Sequence, residues 1–363
     1  MIKVSKIQIP ALPTAQPRRL YVYLPRDYKR SERRYPVLYM FDGHNVFYDS
    51  HATYGKSWGM KEYLEKTKLP LILVAVECNL EGNRRLFEYA PWDFSARGLG
   101  KVQGLGKVTM DWFTQVLKSE IDRTYRTLPD REHTLIAGSS MGGIMALYAG
   151  VAYRDVFSRA ACVSPCLWVD RRALFKLIRE TDLTGSRLYL DFGSEEEERD
   201  LCIKMEELMF TTARELTAAG ADVTALVAPG ARHSEAYWEK RIPVFMDYLL
   251  GYHYHSTASQ QKKHTSFTYL SASLNNPTFL FQYVDFDIPT CLITSTASRW
   301  FIYRYRNICP IWYVSISSGG NFSFSFSTAL ISLSSLVIFS SALSFRFTVS
   351  NTGSDITFCP CTS

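Results

Sequence analysis

The sequence predicts an α/β fold over its first 251 residues, a mainly parallel central sheet with helices on both faces, followed by an atypical C-terminal tail. Three observations carry this. Strand-like and helix-like segments alternate from residue 19 to residue 250. The run "PLILVAVEC" (70–78) is continuously apolar, as a strand buried on both faces of a parallel sheet must be. The composition then changes abruptly after Gly251. Alternation of this kind is the pattern of a sheet covered by helices on its two sides.

The elements follow in order. "RLYVYLP" (19–25) and "YPVLYMF" (35–41) are short β-branched and aromatic runs bounded by Pro, charge and the turn "DGHN", and read as strands. "GKSWGMKEYLEKTK" has helical spacing, 70–78 is a strand, and "TMDWFTQVLKSEIDRTY" is a long amphipathic helix. The cycle continues with strand 134–138, helix 141–153, strand 158–163, helix 169–180, strand 187–192, helix 196–219, strand 222–228 and helix 236–250.

Composition bounds the functional classes. With 363 residues, 47% of them hydrophobic and 14% aromatic, the chain can bury a sizeable core in one large domain or two. The net charge of +6 is spread among interspersed acids and bases through the first 250 residues, which is a solvated surface and no nucleic-acid footprint. Residues 1–25 contain no apolar stretch of signal-peptide length, so a cytoplasmic location is expected. The eight cysteines are scattered without zinc-site spacing, and those before residue 251 are expected to be reduced thiols; no metal and no cofactor are expected.

From Tyr252 to Ser363 there is no Glu, the only acids are Asp285, Asp287 and Asp355, and Ser supplies 22 of 112 residues. A soluble domain carries about a quarter charged residues. A frameshifted or read-through tail explains text rich in Phe, Leu and Ser, because Lys and Glu codons read on the opposite strand give Phe and Leu. Two alternatives stay open: a membrane anchor built on "STALISLSSLVIFSSALSF" (327–345), weakened by its serines, or a genuine accessory module. The expected division is therefore 1–251 for the working domain and 252–363 for a tail outside it.

In open parallel sheets, ligands sit at the carboxyl ends of the strands, so the loops after strands hold the candidate site. Gly138-Ser139-Ser140-Met141-Gly142 fits G-x-S-x-G between an apolar strand and a helix. That turn lifts a serine hydroxyl clear of the sheet and turns the next amide, of Met141, toward a developing oxyanion. A serine needs a base, and the base an orienting acid. His233, between the last strand and the last helix of the domain, stands where the base belongs in the order Ser, acid, His. The loop after "SRLYLDFG" offers Glu195, Glu196, Glu197 and Glu198; Glu196 is the choice, against the reading that all four only favour a helix dipole. The second oxyanion amide is assigned to His44 in "FDGHN".

"VLYMFDGHNVF", "GSSMGG" and "PGARHSEAYWEKRIPVFMDYL" together resemble the putative esterase family of α/β-hydrolases, which includes esterase D, enterochelin esterases, feruloyl and acetylxylan esterases and mycolyltransferases. The resemblance spans residues 5–250. It implies an acyl-enzyme mechanism with Ser140 as nucleophile, His233 as base and oxyanion amides at His44 and Met141, and it supports Glu196 without settling it. Relatives often carry Gln where this chain has His44, a departure that a backbone role tolerates. None of these families resembles the tail.

The segment 78–104 is long for a connection in a compact domain, and part of it is expected to border the cleft, with Arg85 among its residues. Trp58, Trp92, Trp168 and Trp238 are offered as walls for an acyl or sugar group, with ordinary core packing as the competing reading of each. The expectation is a serine esterase acting on a small ester: an acetylated or feruloylated sugar, a siderophore-type ester or a thioester. An acyltransferase on the same residues, a silent binding protein and a membrane-tethered hydrolase are the rivals, and the resemblance is compatible with a dimer or tetramer.

Overall fold

The computed structural model describes residues 1–13, 16–96, 98 and 100–251, together with six strands beyond them. Eleven strands precede or follow the helices in this order: β1 (Ile2–Ile7), β2 (Arg18–Tyr23), β3 (Val37–Met40), α1 (Met60–Thr67), β4 (Ile72–Val76), α2 (Arg84–Glu88), β5 (Phe94–Ala96), β6 (Gly100–Val102), α3 (Gly106–Trp112), α4 (Lys118–Thr124), β7 (Thr134–Ser139), α5 (Met141–Ala152), β8 (Arg159–Val163), α6 (Arg171–Arg179), β9 (Arg187–Gly193), α7 (Arg199–Ala218), β10 (Asp222–Ala228), α8 (Glu235–Trp238), α9 (Ile242–Leu250) and β11 (Leu270–Ser273).

Nine strands form one sheet in the order β1-β2-β4-β3-β7-β8-β9-β10-β11. The six from β4 to β10 pair in parallel, while β1, β2 and β11 join antiparallel at the edges. Successive strand residues face opposite sides, so the sheet divides its own apolar residues between two cores. Val37, Tyr39, Ile72, Val74 and Val76 pack on one side with α3 to α7. Leu38, Met40, Leu73 and Ala75 pack on the other with α1 and α9 through Met60, Leu64, Phe245 and Leu249. Burial on both sides is why these strands read as continuous apolar runs.

Departures from the sequence reading have local causes. β1, "IKVSKI", is an exposed edge strand whose lysines hide its alternation, as edges protected by charge do. The segment 78–104 folds α2 and the hairpin β5–β6 within it. The helical run Gly106–Thr124 contains a π-helical turn at Phe113–Leu117 between α3 and α4. Helix α7 begins at Arg199, which leaves Glu196 in the loop after β9. The last helix is split at Glu239–Arg241, where Pro243 near the start of α9 brings no amide hydrogen to continue the ladder from α8.

By contact the chain divides into two units, Met1–Ala297 and Ser298–Ser363. The first part adds β11 and a two-stranded pair, β12 (Phe279–Phe281) with β13 (Ile293–Ser295). The second is a three-stranded antiparallel sheet of β14 (Ile311–Ile316), β15 (Asn321–Ser327) and β16 (Leu343–Thr348). Most of the run 327–345, the candidate anchor, lies outside the described residues, and among the described residues no helix is long and apolar enough to cross a membrane.

Candidate active site

Strand β7 is wholly buried and delivers the chain to Ser140, whose φ of 58° and ψ of −121° lie where non-glycine residues are strained. The tightness of the turn explains its glycines: a Cβ on Gly138 would lie 2.4 Å from the carbonyl oxygen of Gly142. The Ser140 amide donates to Val163, and its carbonyl accepts from Gly143, Ile144 and Cys166, so the turn is fastened to β8 as well as to α5. The side-chain neighbour of Ser140 Oγ is Cys166 Sγ at 3.6 Å. Burial pushes the Cys166 thiol up to about 11, which keeps it protonated and a poor nucleophile near neutral pH.

The four glutamates after β9 separate cleanly. Glu195 lies 3.7 Å from Arg232 and Glu198 precedes α7, both exposed, as is Glu197. Glu196 turns inward, with its side chain 0% exposed. Its Oε2 lies 2.8 Å from His233 Nδ1. Its Oε1 accepts from Ser164 Oγ at 2.5 Å, the Gly193 amide at 2.7 Å and Arg241 Nη2 at 3.2 Å. Burial alone would raise this carboxyl, but the bond and charge of His233, followed by Arg241 and Ser164, hold it below its ordinary value. A carboxylate only accepts, so Nδ1 of His233 carries the proton that points at it and leaves Nε2 as the ring's acceptor. The ring is 37% exposed on its side chain and stands edge-on to Trp238 at 5.0 Å.

One short loop links these parts. Ser164, the residue after β8, contacts Glu196, and Cys166, two residues on, contacts Ser140. Ser164 has φ 45°, a second strained position, and its Oγ also accepts from Trp238 Nε1 at 3.1 Å and Arg241 Nη1 at 2.9 Å.

The loop after β3 lies across the turn. Asp42 takes φ 54°, and both of its oxygens accept from Arg85 at 2.7 Å. Burial would raise the Asp42 carboxyl, yet the Arg85 guanidinium holds it low. Gly43 presses on β4 so closely that a Cβ there would lie 2.8 Å from Ala75 and Val76 backbone. The His44 ring is buried, its Nε2 is 3.0 Å from Thr53 Oγ1, and burial lowers its pKa so that the ring stays neutral. Among the described residues, the backbone amides of His44 and Met141 donate to no other group, as the first amides of a helix or turn do not. Asn45 Nδ2 donates to Glu235 at 2.9 Å, tying this loop to the one that carries His233. Asp42, His44 and Cys78 bring three metal-capable atoms within 4.8 Å, but the Arg85 fork on Asp42 makes the cluster an anchored turn rather than a set of free ligands.

The tryptophans fall in different places. Trp58 is 2% exposed and packs on Trp238 and Phe245, a core position. Trp238 is buried with its indole N–H on Ser164. Trp92 is half-buried, edge-on to Tyr148. Trp168 is 47% exposed, two residues beyond Cys166, and stands edge-on to Phe94. Sequence reading did not single out Ser164, Cys166, Asp191 or Arg241. The first three lie in or just after β8 and β9, the strand ends where a site is sought, and Arg241 gave no signal before its partners were placed.

The profile of the family described as Putative esterase matches residues 13–248. The uncharacterized protein YbbA of Bacillus subtilis (strain 168) is 22% identical over 242 residues, covering 64% of this chain and 93% of its own. Among solved structures, an IroE-like serine hydrolase from Shewanella oneidensis superposes with a TM-score of 0.55 at 19% identity, over 69% of this chain and 79% of that one. The siderophore hydrolase EstA from Aspergillus nidulans gives 0.54 at 16% identity, over 69% and 95%. These neighbours share the α/β-hydrolase fold, and the family match, spanning well over half of the sequence, identifies the chain as a member of the Putative esterase family, a hydrolase acting on esters.

Proposed function

We propose that this protein is a serine carboxylic-ester hydrolase that works through an acyl-enzyme on Ser140. The observation that carries the reading is the contact of His233 Nδ1 with the buried carboxylate of Glu196, which leaves Nε2 free to accept a proton, in a loop that, like the strained Ser140 turn, follows the carboxyl end of a parallel strand. Ser140 Oγ attacks the ester carbonyl and its proton passes to His233 Nε2. The tetrahedral oxyanion is met by the amides of His44 and Met141, which donate to no other group among the described residues. Collapse expels the alcohol, which takes the proton from His233, and water then enters by the same base to release the acid. Glu196 stabilises the imidazolium formed in both halves.

The substrate is proposed as a small ester of the feruloyl, acetyl-sugar, siderophore or thioester type. The name of the Aspergillus relative favours a siderophore-type ester, and exposed Trp168, two residues beyond the Ser140 neighbour Cys166, offers an aromatic edge with Phe94. The working domain is residues 1–251, within which the whole family match falls. The test is p-nitrophenyl acetate hydrolysis by the full chain across pH. The proposal expects activity that disappears in Ser140→Ala. A folded protein whose Ser140→Ala variant keeps its turnover contradicts it.

A further inference from the structure

Behind the carboxylate of Glu196 lies a polar cluster that hydrolysis by Ser140, His233 and Glu196 does not itself require. Arg241, whose side chain is 1% exposed, divides its guanidinium between two carboxylates. Nη1 donates to Asp191 Oδ1 at 2.8 Å and to Ser164 Oγ at 2.9 Å, while Nη2 donates to Glu196 Oε1 at 3.2 Å. Asp191 is wholly buried and accepts in addition from the Ser164 amide at 3.1 Å and the Tyr189 hydroxyl at 2.8 Å. Three donors face Asp191 and, among the described residues, no acceptor, the surroundings that suit a carboxylate; burial pushes its carboxyl above the ordinary value, and the Arg241 charge and the Tyr189 and Ser164 hydrogen bonds oppose that rise.

The bond lengths rank the partners of Arg241. A guanidinium placed on Glu196 alone would compete with His233 for the same anion. Here Asp191 holds the arginine more closely, at 2.8 Å against 3.2 Å, so the group of one cation and two carboxylates keeps a net negative charge to offer the imidazolium. Ser164 supplies direction. Its hydroxyl accepts from Arg241 and Trp238 and has its one proton left for Glu196 Oε1, which turns Oε2 toward His233.

We propose that Arg241, Ser164 and Asp191 are positioning residues: Arg241 and Ser164 aim the Glu196 carboxylate at His233, and Asp191 is the counter-charge that stops Arg241 from neutralising it. The proposal rests on the assignment of Glu196 as the acid that orients His233. The other titratable groups facing the cluster among the described residues are the Tyr189 hydroxyl, the thiols of Cys162, Cys166 and Cys202, which burial keeps protonated, and Glu235, whose charge acts on the His233 side.

The test compares Glu196→Gln, Asp191→Asn and Ser164→Ala in the full chain, each checked by circular dichroism, with kcat and KM for p-nitrophenyl acetate measured from pH 5 to 9. Asp191→Asn leaves Arg241 undivided on Glu196, so the acid limb of the kcat/KM profile is expected to move to lower pH by roughly 1 to 2 units, the worth of a unit charge about 6–12 Å away at an effective dielectric near 20. Ser164→Ala is expected to lower kcat about 10-fold with KM unchanged, the effect of losing one hydrogen bond to a charged group. Arg241 itself is left in place, because its removal would strand two buried carboxylates and risk the fold. If Glu196→Gln retains wild-type kcat, the triad reading fails. If Glu196→Gln loses activity while Asp191→Asn leaves the acid limb in place and Ser164→Ala leaves kcat intact, the triad stands and the positioning proposal is overturned. Should Asp191→Asn not fold, the kcat of Ser164→Ala decides.

Discussion

Gly43→Ala is a small change with a calculable consequence. A Cβ at this position would stand 2.8 Å from the carbonyl carbon and oxygen of Ala75 and the carbonyl carbon of Val76, where ordinary contact begins at 3.4 Å. Something must move by about 0.6 Å. Strand β4 is the less yielding side, since β2 and β3 clamp it from both edges. The turn Gly43–Asn45 therefore shifts, and the His44 amide goes with it. An oxyanion donor must sit within a few tenths of an ångström of its optimum, and removing or misplacing one costs about 100-fold in kcat. Overpacking of this sort also costs about 1–3 kcal/mol of stability, which for a domain of this size lowers Tm by roughly 2–12 °C. The assay is kcat for p-nitrophenyl acetate alongside a thermal melt, at a temperature where the variant is fully folded. A folded Gly43→Ala protein with wild-type kcat would refute the assignment of this turn to the oxyanion.

Other outcomes follow from the same geometry. Glu196 is held below its ordinary value of 4.5, so its ionised form adds stability above that pH and loses it as pH falls through and below it; the Tm advantage of wild type over Glu196→Gln should shrink between pH 6 and pH 3, and a constant or growing gap contradicts the assignment. Trp58→Ala should cost about 3–5 kcal/mol, the loss expected of a buried aromatic, whereas Trp168→Ala should leave Tm nearly unchanged and raise KM for aryl esters; the reverse pattern would exchange their roles. Truncation after Gly251 should retain folding and p-nitrophenyl acetate turnover, although β10 then loses the strand Leu270–Ser273 from its edge; an inactive or unfolded short form would show that the tail belongs to the working domain.

The sheet was legible because a strand buried on both faces must be apolar throughout, as in "PLILVAVEC", and because such runs alternate with helix-like segments, although α5, which follows β7, is apolar and buried almost all round. The Ser140 turn was legible because its glycines answer a steric demand: a Cβ on Gly138 would stand 2.4 Å from the Gly142 carbonyl oxygen, a space that few other residues satisfy. Glu196 was harder to choose from four consecutive glutamates, since only the loop conformation after Gly193 determines which side chain turns inward. Arg241, Asp191 and Ser164 escaped notice for a different reason. They are separated by up to 77 residues and become a cluster only when the ends of β8 and β9 are brought under the split between α8 and α9. Tryptophans show the complementary limit, because composition and spacing do not distinguish Trp58 in the core from Trp168 at the surface.

The most direct test of the account is covalent labelling with a fluorophosphonate, read by intact mass and then by peptide mapping. The account predicts one adduct per chain, on Ser140 in the peptide containing "GSSMGG", absent in Ser140→Ala and formed much more slowly in His233→Ala. An adduct on another residue, or none on a protein shown to be folded, would contradict the claim that Ser140 is the nucleophile.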